Sequence, residues 1–596
     1  MLRETLRKYW GFDSFLPLQR EAMGSVMEGR DSLVVLPTGG GKSLCYQAPA
    51  MELDGTAVVV SPLISLMKDQ VDALRECGVP AARFDSSLSF QHQREVIDQF
   101  QTGELKLLYV SPERLMSERF AHELRGGQVS FIAVDEVHCV SMWGHDFRPE
   151  YRKLGALKEH FPDTALHAYT ATATRQVRED IVETLGLDSP EVLVGSFDRP
   201  NLVYRARRRD NELWQVRQVI DRHPGQSGII YRIRRKDVDE MAAALRDAGY
   251  SALPYHAGMG PAERKSNQNA FSRGETDIIV ATVAFGMGID KPDVRYVVHA
   301  GMPKTLEHYQ QQSGRAGRDG LEAECCIFYS GGDYHTWKFL LSDGDPEVQR
   351  IHLRKLSDMY SFCTDVACRH RALVEYFGQP FEEESCGACD FCLGEVDCLE
   401  DSLETAQKIL SCVVRLNQRF GATYTANVLV GSSAERIVEN RHDELSTWGL
   451  LSEYPVRQVR TWIEQLVAQG CLSRTERFKV LKLTGRGADA LRGEWRPRLS
   501  RPREKDVRTA AIEEESWEDV DPELFEHLRA LRKELADRRG VPAFMVFGDA
   551  TLRGICRRRP RTPAEFRQIK GIGEVKCRRY AETIIKAIRG FDADGV

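Results

Sequence analysis

No run of 18 apolar residues occurs in the 596-residue chain, and its opening stretch, MLRETLRKYWGFDSFLPLQ, has no apolar segment of the kind a secretory leader carries. The expectation is a protein neither secreted nor embedded in a membrane. A dominant charge is lacking too, since 82 Lys and Arg against 88 Asp and Glu leave a formal net charge of −6. That balance provides no overall attraction to a polyanion, yet it hides local asymmetry. Between Arg553 and Arg589 there are twelve Lys/Arg against three Glu, while Glu513 to Glu523 holds seven acidic residues and no basic one. A charge run is by default a solvated surface, so it permits a nucleic-acid partner without demonstrating one. Cysteine is not scarce, at 15, but most are isolated in apolar stretches, as at Cys45, Cys139 and Cys325, which reads as a reduced, cytosolic protein.

A hydrophobic fraction of 42% with 29% charged residues fits a folded protein. The length exceeds what one core supports and suggests about three to five domains. Short β-rich apolar runs alternate with helical patterns through the first half: Ser32–Leu36, Ala57–Ser61, Leu107–Ser111, Phe131–Asp135 and Leu166–Thr170. After a break near Phe197–Asn201 they resume with Gly228–Tyr231, Ile278–Thr282, Tyr296–His299 and Cys325–Tyr329. Such strands indicate parallel sheets covered on both faces, and two blocks in series predict two α/β lobes with a cleft between them. Beyond Asp343 come helices, a cysteine cluster and a mixed segment. The Pro- and charge-rich stretch from Trp495 to Asp521 reads as a linker, and Leu524–Arg589 as a helical end piece.

Ser32–Leu36 runs into Pro37-Thr38-Gly39-Gly40-Gly41-Lys42-Ser43 and then a helical stretch, the context a phosphate-binding loop requires. Glycines let backbone N–H groups close around phosphates, Lys42 neutralises the β/γ-phosphates of ATP, and the Ser43 hydroxyl suits Mg²⁺. The strict G-x-x-x-x-G-K-S spacing is not met, because Leu36 occupies the first glycine position. Phe131–Val134 ends in Asp135-Glu136, which places Asp135 as a Mg²⁺ partner and Glu136 as the group that orients and deprotonates the attacking water. Taken alone, an Asp-Glu pair at a strand end is equally a helix N-cap. In the second block, Gln311-Gln-Ser-Gly-Arg315-Ala-Gly-Arg318 offers two arginines on one face that fit fingers reaching the γ-phosphate across the cleft.

Cys386, Cys389 and Cys392 stand at two-residue gaps, with Cys368 18 positions before them. Four such thiolates close a tetrahedral zinc site with no open position, hence a structural one; an iron–sulfur cluster is the chemical rival, and Cys363 and Cys398 are competing ligands.

These markers resemble the RecQ family of superfamily 2 DNA helicases over nearly the whole chain. The resemblance is carried by Thr38–Gln47, Ser61-Pro-Leu-Ile-Ser65, Asp135–Cys139, Thr170-Ala-Thr-Ala173, Ala281–Asp290, Gly314–Gly320 and Trp143-Gly-His-Asp-Phe-Arg-Pro-Glu-Tyr151, which looks like the family's aromatic-rich loop. It implies adenine contacts at Phe12 and Gln19, favours Cys368 as the fourth zinc ligand, and implies that Trp143, His145, Phe147 and Arg148 bind DNA and couple it to hydrolysis. The implied α/β architecture has two RecA-like lobes (1–205 and 206–341), a zinc module (342–401), a winged helix (402–495), a linker (496–520) and a small all-helical HRDC domain (521–596). Within the winged helix the recognition helix is Arg457–Gln469, with a short wing near Arg474–Leu483 whose one aromatic is Phe478. Lys570-Gly571-Ile572-Gly573 reads either as amides offered to a phosphate or as a plain helix cap. Leu16 stands where the family usually has Arg, and Val137 replaces the usual Ala.

The implied activity is 3′→5′ unwinding of duplex and branched DNA by a cytoplasmic, nucleoid-associated monomer, in recombination and repair. ATP, Mg²⁺ and Zn²⁺ are the implied cofactors. Single-stranded, tailed and branched DNA are the implied partners, with a single-strand-binding protein besides. An RNA helicase, a translocase that does not unwind, and a non-enzymatic DNA-binding scaffold are the other readings.

Overall fold

The computed structural model describes residues 1–286, 291–342, 346–475, 480–501, 520–539, 541 and 543–594. Phe478, residues 287–290 of the Ala281–Asp290 motif and most of the linker lie outside the described residues.

Two parallel sheets form the first half. The first contains β1 (Ser32–Val35), β2 (Thr56–Val60), β3 (Ala81–Phe84), β4 (Leu107–Val110), β5 (Val129–Val134), β6 (Leu166–Thr170) and β7 (Glu191–Val194), in the order β3-β4-β2-β5-β6-β1-β7. The second contains β8 (Leu202–Arg208), β9 (Ser227–Tyr231), β10 (Ala252–Tyr255), β11 (Ile278–Ala281), β12 (Val294–His299) and β13 (Ala323–Tyr329), in the order β10-β11-β9-β12-β13-β8. Alternate residues feed opposite faces. Leu33 and Val35 enter one buried cluster with Val58, Val60 and Val134, while Val34 and Leu36 enter another with Val59 and Ala133. Both faces of each sheet are therefore dry, which is why the central strands are continuous apolar runs.

All nine strands read from the sequence are present. The four it missed, β3, β7, β8 and β10, are the four edges of the two sheets. The lobe boundary also needs correction: β8 pairs with β13 along its length, so residues 202–205 belong to the second lobe.

The zinc module extends from the β8 edge, where Tyr204 N–H donates to the Ala388 carbonyl at 3.1 Å and Asp390 N–H donates to the Tyr204 carbonyl at 2.9 Å. The winged helix has its own core around Trp462, on the helix Val456–Ala468, and a wing of β14 (Leu472–Arg474) and β15 (Leu481–Leu483). The five C-terminal helices enclose a further core and dock on both lobes. Arg579 pairs with Glu76 of the first lobe at 3.1 Å, and Arg529 donates to the Gly225 carbonyl of the second at 2.7 Å. Among Lys570–Gly573, the Gly571 amide donates to the Gly11 carbonyl at 3.2 Å and is therefore engaged by protein, not offered to a phosphate. No helix among the described residues is long and apolar enough to cross a membrane.

A Cβ on Gly228 of β9 would lie 1.9 Å from the Tyr296 ring of β12. Neither central strand can yield, so Gly228→Ala should lower unfolding stability by about 3 kcal/mol, measured by denaturant titration. A loss under ~0.5 kcal/mol would contradict this packing.

Candidate nucleotide and DNA-coupling site

The phosphate loop leaves β1 and closes at the helix Lys42–Glu52. Gly39 and Gly41 take φ of +87° and +72°, a left-handed backbone open to glycine at little cost. Gly41 meets a second constraint, because a Cβ there would lie 2.2 Å from the Gln19 amide nitrogen. Gln19 is buried, accepts from Leu16 N–H at 2.8 Å and donates to the Gly41 carbonyl at 3.2 Å. Phe12 is half-buried nearby on the chain, and Leu16, where an arginine was expected, is exposed. Lys42 reaches the Leu36 carbonyl at 3.5 Å, so its ammonium stays over the loop.

Asp135 follows β5 and is buried, with its backbone carbonyl held by the Tyr151 hydroxyl at 3.1 Å. Burial, and then the Glu136 carboxylate, push its carboxyl up from the usual range, and Lys42 partly offsets them. Such a group gains from a cation, which fits the Mg²⁺ role; Ser43 begins the helix beside Lys42. Glu136 is forced to φ +48°, a left-handed conformation that is costly for a non-glycine residue and typical of functional turns. Its carboxylate lies 3.3 Å from His138 Nδ1, which also bonds Thr170 Oγ1 at 2.9 Å. Val137 is fully buried in the first-lobe core.

The second-lobe arginines are not on a helical face. The helix Leu306–Ser313 ends before them, and Arg315 and Arg318 ride on the tight turns that follow. Gly314 lies in the first of those turns, where a Cβ would meet the Gln310 carbonyl at 2.8 Å and Thr38 at 3.0 Å. Arg315 is buried against Tyr231, close enough to feel the Glu136 charge, and Gln311 lies against the His145 ring.

A residue the sequence reading missed ties the halves together. Arg199, in the segment between the lobes, donates to the Thr38 carbonyl of the phosphate loop, to Ala316 at 3.2 Å and to Gly317 at 2.9 Å. Asn201 adds bonds to Gly317 at 2.9 Å and Leu321 at 2.8 Å. The only signal was the Asp198-Arg-Pro-Asn201 break itself, which reads as a connector.

The Trp143–Phe147 loop differs from expectation. Its three rings do not all face outward: Trp143 packs against the first-lobe core, His145 is 6% exposed, and Phe147 is 38% exposed. His145 stacks on His138 with centroids 4.3 Å apart and meets His308 of the second lobe edge-on at 4.8 Å. Burial pushes the pKa of both His138 and His145 below the usual histidine value. Arg148 donates to the Asp146 carboxylate at 3.0 Å and the Pro62 carbonyl at 3.2 Å, which anchors the loop's far end.

Cys368, Cys386, Cys389 and Cys392 bring their sulfurs within 4.8 Å of one another. Backbone amides of Arg371, Ala388 and Cys392 donate to Cys368, Cys386 and Cys389 at 3.4 to 3.5 Å, which supports thiolate ligands. Four thiolates at this spacing fit zinc. Cys363 is buried in the second-lobe core and Cys398 is exposed, and neither joins the cluster. About one Zn²⁺ per chain is expected by metal analysis. Cys389→Ser should lower solubility or DNA affinity, and iron, or well-folded metal-free protein, would reject the assignment.

Five family matches run in order along the chain: DEAD/DEAH box helicase over residues 16–181, Helicase conserved C-terminal domain over 211–320, RecQ zinc-binding over 331–393, RQC domain over 398–508 and HRDC domain over 521–588. The ATP-dependent DNA helicase RecQ of Pasteurella multocida is 41% identical over 98% of this chain and 93% of its own length. That of Haemophilus influenzae is 40% identical over 99% and 96%, and that of Bacillus subtilis 39% over 98% and 98%. Similarity at this level over 98% or more of this chain and 93% or more of each relative shows the family, and the chain belongs to the RecQ family of ATP-dependent DNA helicases.

Proposed function

We propose that this protein couples ATP hydrolysis to 3′→5′ movement along one DNA strand, unwinding duplex and branched DNA in recombination and repair. The observation that carries the reading is the buried Asp135 and half-buried Glu136 of one lobe beside Lys42 of the phosphate loop, with Arg315 of the other lobe close enough to feel the Glu136 charge. Phosphoryl hydrolysis needs positioning and charge neutralisation more than covalent chemistry. Lys42 and the loop amides of Thr38 to Gly41 take the phosphates, Glu136 orients and deprotonates water, and Arg315 and Arg318 neutralise charge building on the γ-phosphate. Gln311 lines the cleft between these arginines and the loop. Ser43 and Asp135 would hold Mg²⁺, which would supply further neutralisation of phosphate charge. Phe12 and Gln19 receive adenine, and the preset Gln19 amide supports that role. Trp143, His145, Phe147 and Arg148 form the DNA-coupling loop, with exposed Phe147 as the ring able to stack on an unpaired base. Single-stranded, tailed and branched DNA are the substrates, a single-strand-binding protein is a further partner, and the protein works as a monomer in the cytoplasm at the nucleoid. Comparing DNA with RNA as activators separates this reading from an RNA helicase, and tailed duplexes of each polarity test the direction.

Lys42→Ala should reduce DNA-stimulated ATP hydrolysis by about 100-fold or more while DNA binding, followed by anisotropy, persists. Turnover near the wild-type rate would overturn the motor assignment.

Phe147→Ala should lose most of the stimulation by single-stranded DNA without early thermal unfolding, because the ring is exposed. Undiminished stimulation would remove the loop from the coupling path.

A further inference from the structure

The Trp143–Phe147 loop is fastened to parts of the molecule other than its own lobe, at its main chain. Lys355, on the helix Pro346–Thr364, donates its ammonium to the Trp143 carbonyl at 2.8 Å and pairs with the Glu307 carboxylate. Both partners are largely buried, with side chains 12% and 4% exposed. Glu307 and His308 are neighbours on the helix Leu306–Ser313, which runs directly into the turns carrying Arg315 and Arg318. The loop therefore has two grips on that helix, through His145 on His308 and through Lys355 on Glu307. Its other end reaches the catalytic carboxylate, because His145 stacks on His138 and His138 lies 3.3 Å from Glu136. The turn between is tight, since a Cβ on Gly144 would fall 2.4 Å from the His138 carbonyl.

A phosphate oxygen bonds an ammonium more strongly than a neutral carbonyl does. Lys304 lies close enough to add positive charge at the same place. Both features suit displacement by a nucleic-acid backbone, which binds cations whatever its sequence.

We propose that Lys355 is a positioning residue that, with Glu307, latches the aromatic loop to the second lobe when DNA is absent, and that a backbone phosphate of the incoming strand takes its ammonium from the Trp143 carbonyl and frees the loop. The proposal rests on the loop's role in coupling DNA to hydrolysis. While latched, the His145–His138 stack keeps the His138 ring 3.3 Å from the Glu136 carboxylate, and hydrolysis is slow. Release lets Glu136 turn to the water.

The test uses the full chain, with oligo-dT as the DNA probe and zinc content and melting temperature as checks on folding. Lys355→Met should raise DNA-free ATP turnover roughly fivefold and lower the ratio of DNA-saturated to DNA-free rates to match. Lys355→Arg, which retains the charge and the donors, should stay near the wild-type ratio. Should Lys355→Met lose zinc or melt early, Glu307→Gln decides, since it keeps the shape of the site but loosens the anchor; it should raise DNA-free turnover in the same direction. Unchanged DNA-free turnover in the folded variant overturns the latch, as does a parallel fall of both rates. Phe147→Ala separates the two ideas. If it is stimulated like wild type, the coupling role itself fails; if it loses stimulation while folded Lys355→Met behaves as wild type, the latch alone fails.

Discussion

The guanidinium of Arg199 holds the two halves of the nucleotide site at a fixed distance. It bonds the Thr38 carbonyl on one side and the Ala316 and Gly317 carbonyls on the other, so the phosphate loop and the arginine turns share one side chain. A flat fork with several donors suits this task, and a lysine could not span the same acceptors. One of the glycines follows from it. A Cβ on Gly39 would lie 3.4 Å from the Arg199 guanidinium, and one on Gly314 would press on Thr38 at 3.0 Å. The close approach asks for glycine at Gly314, while at Gly39 the φ of +87° does so and the guanidinium stands at ordinary contact distance.

How legible the fold was depended on where a strand lies in its sheet. A central strand buries both faces and must be apolar throughout, as in Leu33 to Leu36 or Ile278 to Ala281. An edge strand has one neighbour, and its composition is freer. β8 reads Leu-Val-Tyr-Arg-Ala-Arg-Arg, with Arg205 paired to Glu324 and Glu395, and β10 contains Pro254 where the sheet ends. Neither carries the apolar run that marks a strand in a linear reading. The misplaced lobe boundary has the same origin, because the unrecognised β8 follows directly on the connector.

The site divides along a similar line. Lys42, Asp135, Glu136 and the four clustered cysteines were legible because their chemistry is local: a loop, a strand end, a spacing. Arg199, Lys355, Glu307 and His308 were not, since each acts on a partner more than 40 residues away in sequence or on another lobe. His145 was legible as a ring but not in its orientation. The family resemblance grouped Trp143, His145 and Phe147 as one DNA-binding set, and only tertiary packing between His138 and His308 turns the middle ring inward.

The contacts that hold the moving parts share a chemical form, in which a side chain grips a main-chain carbonyl. Arg199 does so at Thr38, Lys355 at Trp143, Arg148 at Pro62, and the Tyr151 hydroxyl at Asp135. Loops that must present their own side chains to phosphate or to bases cannot also spend them on anchoring, and a carbonyl is the one acceptor every residue provides. The form also sets the strength. A cation bonded to a carbonyl is held firmly in a buried site, yet a phosphate oxygen is the better acceptor. Carboxylate pairing is added where the grip is deeper, as for Lys355 with Glu307, and stands in the buried pairs Arg369–Asp390 and Arg295–Asp319.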